Sequence, residues 1–391
     1  MRKWILMVLG GLLLTVAQGQ EVRRALPVNS APAADNDLAR FLAGLPVDPS
    51  SPLAALQRGN DYARHTERLG QLWRRYNENY FSRMRLWSAI ELAPRIPLQI
   101  PVLYFFGGPD AINAMALYPD APVYILGGLE PVGSIPNPST LDPAAVHEGL
   151  RNLEKSVEVV LSYGHFITKD MKAEFEKTVF QGVMPVIYSF IALSGGEVLQ
   201  ASYVGVGAGG ALQDFGSTYG GARNVKPGVR IVFRKSPTAA PQTLYYIQAN
   251  VADGALKDRS LLQWAASFGK ANVYLKAASY LMHETSFSTI RGFLLGNAVS
   301  ILQDDSGIPL RYFDGGRWRL YFFGKYTGTL DIFAKYHQPA LQDAFLHSGA
   351  ADLPFGTGYK WRHGESNLTL AVEQAPPRAE PVGGVPGVSP Q

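Results

Sequence analysis

The chain has 391 residues, carries a formal net charge of +4 and contains no cysteine. The absence of cysteine excludes disulfide bonds, thiolate nucleophiles and thiolate metal sites. A net charge of this size does not indicate a nucleic-acid-binding protein, which needs a concentrated basic face. With 47% hydrophobic residues, the chain can bury a core large enough to stabilise a domain without disulfides.

The N-terminal residues have the organisation of a secretory signal peptide. Arg2 and Lys3 precede an uncharged, mostly apolar run from Trp4 to Val16, and Ala17-Gln18-Gly19 offers small residues to a signal peptidase. The run is short for a membrane span, and no other stretch approaches about 18 apolar residues. We therefore expect export to the periplasm or the extracellular space, with no transmembrane segment after cleavage and with peripheral membrane contact still open.

The rest of the chain divides by composition. We expect a flexible lead-in at 20–35 after the signal peptide at 1–19, one globular domain at 36–374, and a disordered tail at 375–391. The tail reads APPRAEPVGGVPGVSPQ, a Pro/Gly-rich composition that does not form helix or strand.

The first predicted element of the body is a long amphipathic helix at 60–92. Its apolar side chains recur at helical spacing, and Pro94 and Pro97 end it; the stripe comprises Leu69, Leu72, Trp73, Tyr76, Tyr80, Met84 and Trp87. Between residues 58 and 85 there are seven arginines against three acids. This basic face suits an anionic lipid or glycan, or it is simply the solvated side of a helix.

Two apolar runs with a short helical segment between them follow. PVLYFF leads into GGPD (107–110), and VYILGG leads into LEPVG (129–133). This is the pattern of a buried parallel βαβ unit. If the two strands are adjacent, both loops lie at the carboxyl edge of the sheet, where open α/β sheets bind ligands.

Asp110 and Glu130 are the candidate catalytic carboxylates of this edge, and Gly107, Gly108 and Gly133 are candidate ligand-binding residues. The two glycines of GGPD allow close backbone approach. The alternative is that these glycines and acids only shape turns and cap helices.

A dinucleotide site is a further alternative for the same loops. Glu130 lies about 20 residues beyond Gly107, where the acid of a dinucleotide-binding fold stands, but GGPD lacks the three-glycine spacing. The formal match, at Gly205, Gly207 and Gly210, is not followed by a helical pattern and indicates a Gly-rich loop. Nicotinamide or adenosylmethionine chemistry is also not expected of an exported protein, so we predict no cofactor.

The second half is richer in strand. VRIVF (229–233) and TLYYIQANV (243–251) predict a hairpin, and LRYF with RWRLYFFGKY predicts another around DGG. SLLQWAASFG and SFSTIRGFLLGN predict helices, whereas ANVYLKA and NLTLAVE predict strands. The fold class is therefore α/β or α+β, with a mixed central sheet and helices on both faces.

A helix over 276–283 would place Lys276, Tyr280 and His283 on one face. Such a trio suits acid/base work, although it is more often simply the polar face of a helix. Arg291 is a candidate partner of Asp304 or of an anionic ligand.

The stretch SILQDDSGIP (300–309) offers the last candidates, Gln303 for binding and Asp304 for catalysis. If a strand runs to this point, Asp304 and Asp305 point to opposite faces. Asp305 then belongs to a turn, and Asp304 is the residue that faces a site. No metal site is predicted, because neither HEGLR nor HETSF completes the H-E-x-x-H spacing.

In combination, FFGGPD, GLEPVG, YLMH and ILQDDSGIP resemble the recurring segments of a family of exported bacterial proteins of unassigned function. The resemblance covers roughly residues 36–374 and implies a secreted single-domain protein. It brings no activity, cofactor or catalytic residue. Where the family has YPFSGPD this chain has FFGGPD, so Gly107 replaces a serine, which argues against an essential nucleophilic hydroxyl at that position.

Two functions remain open from the sequence. The first is an exported protein that binds or acts on a polar, envelope-derived ligand such as a glycan, through a carboxylate-lined crevice at the sheet edge. The second is a non-catalytic envelope protein that holds a partner or a membrane face with its arginine-rich helix. Oligomeric state and ligand identity do not follow from either.

Overall fold

The computed structural model describes residues 32–163, 179–217 and 224–374. The predicted signal peptide and the predicted tail lie outside these residues. The expected lead-in at 20–35 is wrong at its end, because a helix already begins at Pro32. Its Asp35 carboxylate accepts hydrogen bonds from the Ala201 backbone at 3.2 Å and from the Tyr188 hydroxyl at 3.3 Å, which anchor this helix on the body.

A ten-stranded mixed sheet organises the protein. In chain order the strands are β1 (Val102–Tyr104), β2 (Val123–Gly128), β3 (Glu197–Val206), β4 (Leu212–Gly216), β5 (Lys226–Arg234), β6 (Gln242–Gln248), β7 (Ala271–Leu275), β8 (Ala298–Gln303), β9 (Trp318–Gly324) and β10 (Asn367–Glu373). Their order in space is β4-β3-β5-β6-β2-β1-β7-β8-β10-β9. Five neighbouring strands, β6, β2, β1, β7 and β8, are parallel to one another. Antiparallel strands extend the sheet on both sides of them.

Helices cover both faces of the sheet, as the sequence predicts. They are α1 (Pro32–Leu42), α2 (Asn60–Tyr76), α3 (Ser82–Trp87), α4 (Ala111–Leu117), α5 (Pro143–Tyr163), α6 (Met184–Leu193), α7 (Ser260–Ala266), α8 (Ser288–Asn297) and α9 (Pro339–His347). Helices α1 to α6 share one hydrophobic core with one side of the strands, and α7 and α8 share a second core with the other side. Alternation along β1 explains this division, because Val102 and Tyr104 enter the first core and Leu103 the second.

The long helix predicted at 60–92 is confirmed. The π-helical turn Asn77–Phe81 joins α2 to α3, and a second one, Ser88–Leu92, extends α3, so one continuous helix runs from Asn60 to Leu92. Its apolar stripe is buried along most of its length, and Trp87 packs edge-on against Phe323 and Phe355. The helix therefore packs mainly against other helices, α2 against α5 and α3 against α4, and leaves its arginines outside.

Several other features form where the local sequence favours them. Asp142 caps α5 through the Ala144 backbone at 3.2 Å, and the β5–β6 hairpin forms. The Gly-rich segment after β3 is a short 3₁₀ turn, Ala208–Gly210, as expected of a loop.

The hairpin predicted around DGG is wrong. Residues Leu310–Tyr312 form a 3₁₀ turn, and β9 pairs with β10. A non-local strand partner therefore replaces the local one.

Candidate functional site

The parallel strands create the candidate site. In space they run β6-β2-β1-β7-β8, and their carboxyl ends share one edge of the sheet. The chain leaves β1 towards β2 on one side and leaves β7 towards β8 on the other. The connections diverge between β1 and β7, which makes this a topological switch point, the place where open α/β sheets bind ligands.

A cavity of about 160 Å³ opens at this point. Loops that follow four neighbouring strands, β6, β2, β1 and β7, form its walls. The lining comprises Tyr104, Phe105, Phe106, Gly107, Gly108, Asp110, Gly128, Leu129, Glu130, Ala249, Asn250, Val251, Lys276, Ala277, Ala278, Ser279, Leu281 and Phe287. The predicted common edge of the two loops after β1 and β2 is thus a single surface.

Asp110 and Lys276, which both line the cavity, form a buried ion pair. Asp110 is 1% exposed and Lys276 is 2% exposed, and the Lys276 ammonium donates to Asp110 Oδ2. The same oxygen accepts from the Tyr104 hydroxyl at 2.8 Å. Burial, reinforced by the Asp110 charge, raises the pKa of Tyr104, so the phenol keeps its proton and remains a donor.

The other Asp110 oxygen caps α4. Oδ1 accepts from the Asn113 backbone at 3.4 Å and from the Asn113 side-chain amide at 2.8 Å. The side-chain oxygen of Asn113, Oδ1, in turn accepts a hydrogen bond from the Tyr76 hydroxyl of the long helix. Both Asp110 oxygens are therefore committed to fixed partners, which hold the loop after β1 against α4 and β7.

Glu130 forms a second carboxylate wall. It is 3% exposed, and its position requires glycine at two neighbours. A Cβ at Gly108, where φ is +53°, would lie 3.2 Å from Glu130 Oε2, and a Cβ at Gly128 would fall far inside van der Waals distance of the same oxygen. The Tyr246 hydroxyl lies 2.8 Å from the Glu130 carbonyl oxygen and 3.2 Å from Oε2.

The loop after β7 is strained. Ala277, Ser279 and Tyr280 have φ values of 50°, 53° and 55°, and they are three of the five non-glycine residues with positive φ in the described ranges. Each such residue costs about 1–2 kcal/mol. The helix predicted at 276–283 is therefore wrong, and only Leu281–His283 form a 3₁₀ turn.

Asp304 and Ser306 hold the strained loop in place. Asp304 Oδ2 accepts from the Ala277 backbone at 2.9 Å, and the Ser306 hydroxyl accepts from the Ala278 backbone at 2.7 Å. Asp304 Oδ1 accepts from the Ser306 backbone at 3.0 Å. Asp304 thus stands behind the loop and does not line the cavity.

The environment of Asp304 disfavours its charge. Burial, with a further contribution from the charge of Asp305, raises the pKa of Asp304 to about 7. Burial also raises the pKa of Asp305, whose carboxylate accepts from Tyr280 and, at 3.0 Å, from Asn367. Asp305 is thus half-buried and hydrogen-bonded within this edge, besides being part of the turn that the sequence predicts.

The remaining sequence candidates are not brought into the cavity. Gln303 hydrogen-bonds the Ile308 backbone at 2.7 and 2.8 Å and so closes the turn after β8. The predicted Arg291–Asp304 pair is absent from the described structure: Arg291 donates to the Met282 and Glu284 carbonyl oxygens and lies over a tyrosine ring.

Three more candidates lie outside the cavity, where packing against neighbouring residues accounts for them. Gly133 packs against the Gln181 backbone so closely that a Cβ could not be accommodated. Tyr280 stacks on Tyr336 with 5.1 Å between ring centroids. Burial lowers the pKa of His283 to about 4, so its imidazole is neutral. The structure therefore gathers Gly107, Gly108, Asp110, Glu130 and Lys276 around the cavity and leaves the other candidates outside.

Several residues at or beside the cavity escape sequence reasoning. Tyr104 and Tyr246 lie in apolar strand runs and resemble core residues, although each hydroxyl contacts a cavity carboxylate. Asn250 lies in the loop directly after β6, and its position on the parallel edge is evident only once β6 is seen beside β2. The one available signal is that Asn250 follows an apolar strand, as Asp110 and Glu130 do.

The arginine-rich face of the long helix carries less unpaired charge than the sequence indicates. Arg64 pairs with Asp61 of its own helix, and both Arg68–Glu158 hydrogen bonds to α5 measure 2.8 Å. These exposed pairs each contribute only about 0–1 kcal/mol. They nevertheless reduce the electrostatic attraction that this face offers to an anionic surface.

No helix within 32–163, 179–217 or 224–374 is both long enough and apolar enough to cross a membrane. Comparisons of the chain with known protein families, with curated proteins and with solved structures found no match.

Proposed function

We propose that this protein is exported and binds a small molecule with adjacent hydroxyl groups in the cavity at the switch point. The observation that carries the proposal is the charge arrangement of the cavity wall, where Asp110, Glu130 and Lys276 are each at most 3% exposed. Carboxylates accept hydrogen bonds from hydroxyl groups through two oxygens, and two adjacent hydroxyls match that geometry. A sugar-like ring is the simplest ligand of this kind.

The size of the cavity supports one enclosed ring. Its volume of about 160 Å³ is close to the roughly 150 Å³ of a protein cavity that encloses benzene. A ligand larger than one ring would extend through the open mouth of the cavity.

Binding is better supported than acid/base catalysis. Both Asp110 oxygens already accept hydrogen bonds from Lys276, Tyr104 and Asn113, so a proton transfer there would disrupt the loop. Asp304, the third carboxylate suggested by the sequence, contacts the backbone behind the loop. We base ligand recognition on Glu130, because its loop follows β2 at the switch point and the residue lines the cavity.

Isothermal titration calorimetry with monosaccharides, polyols and ribonucleosides tests the proposal. We expect at least one ligand with adjacent hydroxyls to bind, and we expect Glu130→Gln to weaken it at least about tenfold, a loss of about 1.4 kcal/mol. Glu365→Gln, a change at an exposed site outside the cavity, is the matched control. The proposal is wrong if no such ligand binds, or if Glu130→Gln and the control behave alike.

Export is tested separately. Expression of the full chain in a bacterium, followed by cell fractionation and N-terminal sequencing, is expected to give an exported product that begins at Gln20. Retention in the cytoplasm with residues 1–19 intact would contradict export without bearing on ligand binding.

A further inference from the structure

The lining of the cavity separates charged from apolar side chains. Its charged members among the described residues, Asp110, Glu130 and Lys276, are each at most 3% exposed. Four large apolar members of the lining are half-buried or exposed, and we call them the apolar rim: Phe106, Leu129, Leu281 and Phe287. Surface residues are usually charged and buried ones apolar, so this opening has the reverse distribution.

Phe106 and Phe287 form the aromatic part of the rim. Phe106 lies two residues beyond the end of β1, and Phe287 ends the 3₁₀ turn Thr285–Phe287 just before α8. Their ring centroids are 6.5 Å apart, at an interplanar angle of 49°. Both side chains pack against the second core without being enclosed by it. Core packing therefore holds an aromatic surface at the opening of the cavity.

Leu129 is the most exposed member of the rim. At 55%, it is one of five large apolar side chains in the described ranges that are more than half exposed. The other four lie outside the cavity lining: Leu86, Ile90, Ile332 and Leu346. A scattered exposed leucine is normal, but Leu129 lies where apolar side chains from the segments after β1, β2 and β7 line one opening.

The size of the cavity decides where a substituent on the ligand must go. One ring fills the volume of about 160 Å³, so a group attached to that ring extends through the opening and past the apolar rim. The exposed polar side chains there are those of Asn250 and Ser279, and neither carries a charge. A charged substituent would lose water without gaining an ionic partner, whereas an apolar one would leave water together with the rim.

A modest contact with the rim gives a measurable gain in affinity. A tenfold gain corresponds to about 55 Å² of apolar surface removed from water. An aromatic side chain buries about 150–250 Å² in a protein core, so part of one phenyl ring, or an alkyl chain of similar area, supplies it. This contribution is apolar and does not depend on how the cavity carboxylates are hydrogen-bonded.

We infer that the ligand is an amphipathic conjugate, a hydroxylated ring that carries an apolar group, with the ring enclosed in the cavity and the apolar group on the apolar rim. The inference rests on the proposed function, because it names the class of ligand that the same cavity takes. Aryl and alkyl glycosides share this chemistry, and the experiment separates them.

Calorimetric titration of the full-length mature protein tests the inference. The probes are the methyl, phenyl and octyl β-glycosides of D-glucose, D-galactose, D-xylose and D-ribose, with phenol and 1-octanol as the free apolar groups and octyl compounds kept below their critical micelle concentrations. For at least one sugar, we expect the phenyl or the octyl glycoside to bind at least about tenfold more tightly than the methyl glycoside and than its free apolar group. The tighter of the two identifies the apolar group as aromatic or aliphatic. We also expect its heat capacity change on binding to be more negative than that of the methyl glycoside, because it buries more apolar surface.

Leu129→Asn tests the rim without disturbing the core. It nearly keeps the size of an exposed side chain and removes its apolar character. We expect the preference for the apolar glycoside over the methyl glycoside to fall at least about threefold, while the affinity for the methyl glycoside stays within about twofold of that of the natural protein. The matched control is Leu346→Asn, at a leucine of α9 that is 73% exposed and lies outside the lining, and it is expected to change neither value.

Each contrary outcome has a distinct meaning. The inference is overturned, and the proposed function stands, if sugars or polyols bind in a Glu130-dependent manner but no phenyl or octyl glycoside exceeds its methyl counterpart tenfold. The inference is also overturned if Leu129→Asn lowers the preference no more than Leu346→Asn does, because the apolar group then lies elsewhere. Binding of phenol or 1-octanol as tight as that of the glycosides, or no binding of any sugar, polyol or glycoside, would overturn the inference and the proposed function together.

Discussion

The free energy of unfolding of the natural protein is expected to fall between about pH 4 and pH 8, and the Asp304→Asn substitution is expected to abolish this fall. Burial, with the charge of Asp305, raises the pKa of Asp304 from 3.8 to about 7 in the folded protein. Between those values the folded protein holds a proton that the unfolded chain has released, so stability is complete below about pH 4 and is lost as pH rises through about 7. A difference of about 3 pH units corresponds to about 4 kcal/mol.

Urea denaturation at about pH 5 and about pH 8 measures this effect. We expect the free energy of unfolding of the natural protein to fall by about 2–4 kcal/mol more over this interval than that of the Asp304→Asn variant. The absolute stability of the variant is not the readout, because asparagine cannot accept from both the Ala277 and the Ser306 backbone.

Asp253→Asn is the matched control. Although burial opposes it, hydrogen bonds from Ser288 and Thr289 lower the pKa of Asp253. Its contribution is therefore present above about pH 4 and constant across the measured interval. If Asp304→Asn changes the pH dependence no more than Asp253→Asn does, the assignment of a buried, protonated Asp304 is refuted.

Three further substitutions test the cavity wall. Lys276→Met is expected to lower the free energy of unfolding by about 3–5 kcal/mol, because it leaves the Asp110 carboxylate buried without its cation; urea denaturation measures it. Gly128→Ala is expected to weaken ligand binding at least tenfold in calorimetry, because the new methyl group displaces the Glu130 carboxylate. Ala277→Gly is expected to stabilise by up to about 1 kcal/mol in the same denaturation assay, since relief of about 1–2 kcal/mol of strain exceeds the entropic cost of glycine.

The chain offers controls for these changes. Gly254→Ala introduces a methyl group with no atom within 4 Å and is expected to leave binding unchanged. Ala278→Gly lies beside Ala277, but its φ is not positive, so it is expected to destabilise. Loss of less than about 1 kcal/mol in Lys276→Met, unchanged binding in Gly128→Ala, or destabilisation by Ala277→Gly would each contradict the corresponding argument.

The sequence predicts the parts of this fold that local chemistry determines. Asp142 is a good N-cap residue and Pro143 suits the first helical position, and α5 begins there. Two apolar runs around a short helix predict the parallel β1–β2 pair. That pair alone places the loops of Asp110 and Glu130 at one edge. These features follow from caps, breakers and hydrophobic periodicity, which act within a few residues.

What the sequence does not predict depends on partners far along the chain. β9 pairs with β10, whose residues lie about 50 positions away, so a local hairpin signal at DGG is overridden. The segment from Lys276 to Tyr280 has a helical sequence pattern, but the backbone is held in left-handed conformations by Asp304 and Ser306 of the next parallel strand end. Periodicity carries no information about such a restraint.

Capping and function are not exclusive roles for a carboxylate, and Asp110 and Asp304 show what separates them. Each accepts backbone hydrogen bonds that stabilise a turn. Asp110 also lines an open cavity between diverging connections, whereas Asp304 is enclosed behind the loop that forms the cavity wall. The deciding variable is the strand after which the acid stands. An acid at the switch point keeps one side towards the cavity. An acid one strand further out has the neighbouring loop across it and acts by holding that loop.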